Sequence, residues 1–110
     1  MVKNVHALGD ALLAAPAMPK SAHMANGCAS AVVSLIKNQP VNPNPMLTNT
    51  CYSFVTAKEV IHIASVHRYD EEKKTMATVD GSGGLSAGPT ELEGQYALAW
   101  AKNIWADVLA

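Results

Sequence analysis

The sequence predicts an α+β fold, a three-stranded antiparallel meander packed with two helices and preceded by a short N-terminal strand. Three observations carry this. Three strand-like runs rich in β-branched and aromatic residues follow one another across short polar gaps, and short gaps favour antiparallel neighbours. One-sided apolar periods of helical spacing stand before and after those runs. Proline and glycine clusters separate the parts.

Taken in order, Asn4 to Ala11 reads as a short apolar strand stopped by Gly9-Asp10. Residues 11–17 are alanine-rich, and with Pro16 and Pro19 they read as a connection rather than a helix. Ser21 is placed to cap a helix whose apolar side repeats at Ala25, Cys28, Ala29, Val32, Leu35 and Ile36. Lys37, Asn38 and Pro40 end it. Residues 41–45 form an extended linker, because a residue before proline is pushed out of the helical region.

The three runs are Leu47 to Val55, Val60 to His67 and Thr75 to Val79. Alternation puts Val60, His62, Ala64 and Val66 on one face of the second run, and Ile61, Ile63, Ser65 and His67 on the other. Residues 80–89 read as a glycine-rich surface loop without the Lys-Ser/Thr ending of a phosphate-binding loop. Thr90 and Glu93 then form a capping box for the last helix. Its stripe runs through Leu92, Tyr96, Trp100, Ile104 and Val108, widened by Trp105 and Leu109, so this helix is expected to be buried or covered by a partner.

The chain has 110 residues, the size of one domain or of one piece of a larger protein. Eight basic and nine acidic side chains give a net charge of -1, and no basic patch marks a nucleic-acid partner. No apolar run approaches the roughly 20 residues a membrane span needs. Residues 1–6 lack the apolar stretch of a signal peptide. Cys28 and Cys51 match no zinc spacing, and His6, His23, His62 and His67 form no ligand pair, so no metal site is expected. Ser21, Ser53 and Ser65 lack a nucleophile elbow. Cys28 falls on the apolar stripe of its helix and reads as structural. Cys51 has two readings: a packed thiol, or half of a redox disulfide whose other half lies outside this chain.

Asn4-Val5-His6-Ala7-Leu8-Gly9-Asp10-Ala11 resembles the second flavin-binding motif of the glutathione-reductase-like flavoproteins, an apolar strand ending in Gly-Asp. Met18-Pro19-Lys20-Ser21-Ala22-His23, residues 45–53, Ala64-Ser65-Val66-His67-Arg68-Tyr69, residues 89–97 and Asn103-Ile104-Trp105-Ala106-Asp107 resemble, in order, the flavoprotein subunit of flavocytochrome c sulfide dehydrogenase. The resemblance covers essentially the whole chain, but only the last quarter or so of that subunit. It implies that residues 1–40 are the tail of an FAD-binding domain and that residues 41–110 are a C-terminal interface-type domain.

The activity implied is oxidation of sulfide by a disulfide beside FAD, with electrons passed to a c-type cytochrome subunit in the periplasm. Cys51 matches the family's C-terminal disulfide cysteine. Gly9 and Asp10 match the residues that approach and hydrogen-bond the ribityl chain, a carboxylate being a strong acceptor for a hydroxyl. The helix starting at Ser21 would aim its positive end at the flavin, Lys20 would add charge there, and Trp105 matches a tryptophan near the ring. The family's helix carries a few more residues after Ala25-Asn26, where Gly27-Cys28 follow at once here. The rest of the cofactor site and the partner cysteine belong to a missing N-terminal FAD domain, so tight FAD binding and activity are not expected of this chain alone. The rival expectation is a non-catalytic homodimer without FAD, paired through exposed Tyr96, Trp100 and Ile104.

Overall fold

The computed structural model describes residues 4–11 and 18–109. The alanine-rich connection over residues 12–17 and the first three residues lie outside the described residues.

Helix α1 spans Ala22–Ile36 and begins as its sequence dictates. Ser21 sits in extended backbone, and its hydroxyl accepts the Met24 N–H that the first turn would leave unpaired. The helix is unbroken through Gly27, where a Cβ would stand 3.4 Å from the Leu47 side chain. Helix α1 is thus continuous through Gly27-Cys28 and has room for ordinary contact with Leu47 there. At its end Asn38 takes a left-handed φ of 52°.

Strand β1 (Met46–Phe54) pairs antiparallel with β2 (Val60–Asp70), which pairs antiparallel with β3 (Thr75–Thr78). Both turns are built by side chains. Thr56 Oγ1 accepts the Lys58 and Glu59 N–H groups in the first, and Asp70 Oδ1 accepts the Glu72 and Lys73 N–H groups in the second. Lys73 also lies 3.2 Å from Asp70, whose carboxyl is held below its ordinary range first by the Lys73 backbone N–H.

The glycine-rich segment is more than a loop. It continues along the same edge of β2 as β3, with β4 (Gly84–Leu85) opposite Ala64 and Ile63 and a bridge from Thr90 to Val60. Two serines fill the gaps between these pairings. Ser82 Oγ accepts from Val66 N–H and donates to the Val66 carbonyl, and Ser86 Oγ accepts from His62 N–H. Gly83 is pressed so closely to Ala64 that a Cβ would fall 2.0 Å from its carbonyl oxygen, so only glycine fits.

Helix α2 (Glu91–Leu109) crosses one face of the sheet, the face of Tyr52, Val60 and His62. Here the capping box is only half formed. Thr90 Oγ1 accepts the Glu93 N–H, but the Thr90 N–H is committed to the Val60 carbonyl, and the Glu93 carboxylate turns to His62 instead. Helix α1 lies along the free edge of β1, touching Leu47 and Asn49 from one face and Thr48 from the other. The two helices meet where His23 packs edge-on to Trp100 and Asn26 donates to Asp107. Buried apolar residues are few among those described: Met24, Val60 and Ala97.

Two expectations need correction. Residues 5–8 form no strand; Gly9–Ala11 make a single 3₁₀ turn packed on α1 instead. A strand exists only where a neighbour completes its hydrogen bonds, and none of the described strands pairs with this segment. Of the last helix, expected to be buried or covered by a partner, the chain itself buries only Gly94 and Ala97, and Leu92, Tyr96, Leu98, Trp105, Val108 and Leu109 are exposed. Trp100 and Ile104, expected on a pairing surface, are half-buried, and Trp100 packs its ring against Tyr52. No described helix is long and apolar enough to cross a membrane.

Candidate functional site

The face of the sheet opposite α2 carries Leu47, Asn49, Cys51 and Ser53 from β1, and Ile61, Ile63, Ser65 and His67 from β2. The register sets Cys51 opposite Ile63, Asn49 opposite Ser65 and Leu47 opposite His67. Directly opposite side chains in such a pair stand roughly 5 Å apart at Cβ, so these residues share one patch.

Cys51 is half-buried and is a free thiol, as is Cys28. Its Sγ lies 3.4 Å from the side-chain oxygen of Asn49, to which it donates. Asn49 is 3% exposed, and the same oxygen accepts from the Ser21 hydroxyl at 2.5 Å. Ser21 in turn accepts the Met24 N–H of α1 at 3.2 Å. Beside it, Lys20 Nζ reaches back to the Asp10 carbonyl at 2.8 Å. Gly9 holds a φ of 61°, and a Cβ there would stand 3.1 Å from the Ala25 Cβ.

A continuous line of contacts therefore joins four of the elements named from the sequence: the Gly9-Asp10 turn, Lys20, the Ser21 cap and Cys51. Trp105 is not on that line. It is 61% exposed on α2, the helix that covers the other face.

On the same face, His67 is 1% exposed, and its Nε2 lies 3.0 Å from Ser65 Oγ. Its Nδ1 is buried without a partner among the described residues. Burial pushes its pKa below the ordinary 6.5 and favours the neutral ring. Neither Asn49 nor this buried histidine was singled out from the sequence. Alternation placed Ser65 and His67 on one face, but no motif distinguishes a buried asparagine from a solvated one.

The opposite face holds a second polar group. His62 Nδ1 lies 2.8 Å from Glu93 Oε2, and Ser86 Oγ donates to the same carboxylate oxygen at 3.1 Å. Ser86 faces the carboxylate and not the imidazole ring, so this is a clamp between α2 and β2, not a nucleophile with its base. Among the described residues no three histidine, cysteine or acidic side chains gather as a metal site would require.

Set against known protein families, residues 43–109 match the flavin-binding domain of flavocytochrome c sulphide dehydrogenase. The chain belongs to that family. No curated protein matches it. The matched residues take in Cys51 and the sheet, whereas the exposed Asp10 and helix α1 lie before them. The family name also places a cytochrome c in the same assembly.

Proposed function

We propose that this chain is the C-terminal, flavin-contacting portion of a sulfide dehydrogenase flavoprotein, and that Cys51 is one sulfur of a redox-active disulfide. One observation carries the reading: Cys51 stands on the sheet face that α2 leaves open, tied through Asn49 and Ser21 to the N-terminus of α1. Hydrosulfide attacks one sulfur of the disulfide; the old S–S bond breaks, and a persulfide and a thiolate result. A second hydrosulfide takes the outer sulfur as a disulfane, the two cysteine thiolates rejoin as the disulfide, and the electron pair so released would go to FAD, when bound, and on to the c-type cytochrome. On this reading Asp10 holds the ribityl chain, and α1 and Lys20 favour the negative charge of the reduced ring. The family's location, the periplasm, comes with the proposal, as does a separate FAD-binding portion that supplies the second sulfur.

The test uses the chain with Cys28→Ser and Cys51 loaded as a mixed disulfide with a chromogenic aryl thiol. Hydrosulfide should release the aryl thiolate faster from the folded chain than from the same chain in denaturant. Equal or slower release from the folded chain removes the catalytic reading. Mixed with FAD, the chain should leave flavin fluorescence unquenched at micromolar concentration; tight binding would show that it needs no second portion.

A second reading, a non-catalytic dimer without FAD, draws on the exposed Tyr96, Leu98, Trp105 and Val108 of α2. Sedimentation separates the two, since a monomer at high concentration removes the dimer.

A further inference from the structure

Asn49 is an unusual neighbour for a reacting sulfur. It is almost fully buried, and its carbonyl oxygen is held from two sides, by the Ser21 hydroxyl and by the Cys51 thiol. That arrangement suits a protonated thiol, which has a proton to give. It does not suit a thiolate, which would stand 3.4 Å from an oxygen with both partners electron-rich. An amide has an alternative that a carboxylate lacks. Its oxygen and nitrogen ends have nearly the same shape, so a half-turn about the last side-chain bond presents N–H groups where the oxygen was. One N–H would then point at the sulfur and the other at Ser21 Oγ, which already accepts from Met24 N–H and retains a lone pair. The rotated amide serves the anionic sulfur and Ser21 Oγ, at the cost of the acceptor to which the Ser21 O–H had donated.

We propose that Asn49 is a positioning residue for Cys51, presenting its carbonyl to the thiol and its N–H to the sulfur once that sulfur is anionic. The half-turn gives the thiolate a donor without moving the backbone of β1, so the sulfur keeps its place while its charge changes. The consequence for sulfide oxidation rests on the role proposed for Cys51, but the amide rotation does not, and it is measured without flavin or sulfide. The other titratable groups near this row are His67 on β2, and Lys20 and Asp10 beside the start of α1.

The experiment is alkylation of the reduced Cys28→Ser chain by iodoacetamide across pH. Asn49→Asp offers the sulfur only oxygens, one of them charged, and should slow the reaction at least about tenfold at about pH 7, with the difference closing at about pH 10. Equal rates at neutral pH overturn the proposal. So does a His67→Gln chain that shows the same slowing, because the histidine would then be the controlling group. In the unsubstituted Cys28→Ser chain, the side-chain amide proton resonances of Asn49 should shift over the pH range in which thiolate absorbance appears. Resonances that stay fixed through that range overturn it even if Asn49→Asp fails to fold.

Discussion

Gly94 lies where α2 crosses the turn between β1 and β2, and a Cβ there would fall 2.1 Å from the Lys58 carbonyl oxygen. Backbone cannot yield as a flexible side chain does, so helix and turn would have to separate. Gly94→Ala is expected to cost about 2–3 kcal/mol despite the better helix propensity of alanine. Gly88→Ala, where a Cβ meets nothing within 4 Å, should leave the melting temperature nearly unchanged. Thermal melts of the two variants check the pair. At the same scale, His67 gives stability a sign with pH. Burial lowers its pKa from 6.5, so between that value and the lowered one the unfolded chain binds more protons. Its contribution is whole above about pH 6.5 and falls as the pH drops through the window. The urea midpoint should therefore fall between about pH 7.5 and pH 5.5, and His67→Gln should flatten that fall.

Between elements, the joint of α2 to β2 is a carboxylate shared by an imidazole and a hydroxyl. Glu93 is the more buried partner, at 16% side-chain exposure against 35% for His62. Removing it leaves the ring and the Ser86 hydroxyl to find water. Glu93→Ala should cost about 1–2 kcal/mol, and a double-mutant cycle with His62→Ala should return a coupling of at least about 0.5 kcal/mol. Purely additive costs would count against the clamp.

The sequence was informative about elements with a strong period and silent about joints of this kind. Both hairpins and both helices follow from alternation, caps and turn residues. Thr90 and Glu93 looked like a complete capping box because the motif is local, whereas the bridge to Val60 that occupies the Thr90 N–H is not. The edge pairing of residues 82–86 left no alternating pattern, because serine hydroxyls replace backbone pairs there. The expected strand before Gly9 failed for want of a neighbouring strand, a requirement no local pattern encodes. Of the candidate site, Gly9, Asp10, Lys20, Ser21 and Cys51 were named through motif and resemblance and lie on one line of contacts, Trp105 was named and lies off it, and Asn49, which links Ser21 to Cys51, was not named.

Across the whole molecule, the radius of gyration is 15.6 Å, against roughly 13 Å for a compact domain of this length. An open shape with few buried apolar residues leaves apolar surface uncovered, and part of it lies beside Cys51. Ile63, opposite Cys51 in the register, is 52% exposed, and its partner on the other side, Leu85, is 68% exposed. If this face is where the FAD-binding portion seats, these residues stabilise the joined state and contribute little to the chain by itself. Ile63→Lys with Leu85→Lys should then shift the stability of the isolated chain by no more than about 1 kcal/mol, since neither side chain is buried. The same pair should abolish co-sedimentation with a separately produced N-terminal portion of a family flavoprotein, because seating would bury two unpaired charges. The parent chain should co-sediment. Loss of folding in the double variant would place these residues in the chain's own core, and undiminished association would place the joint on another surface, with α2 the next to substitute.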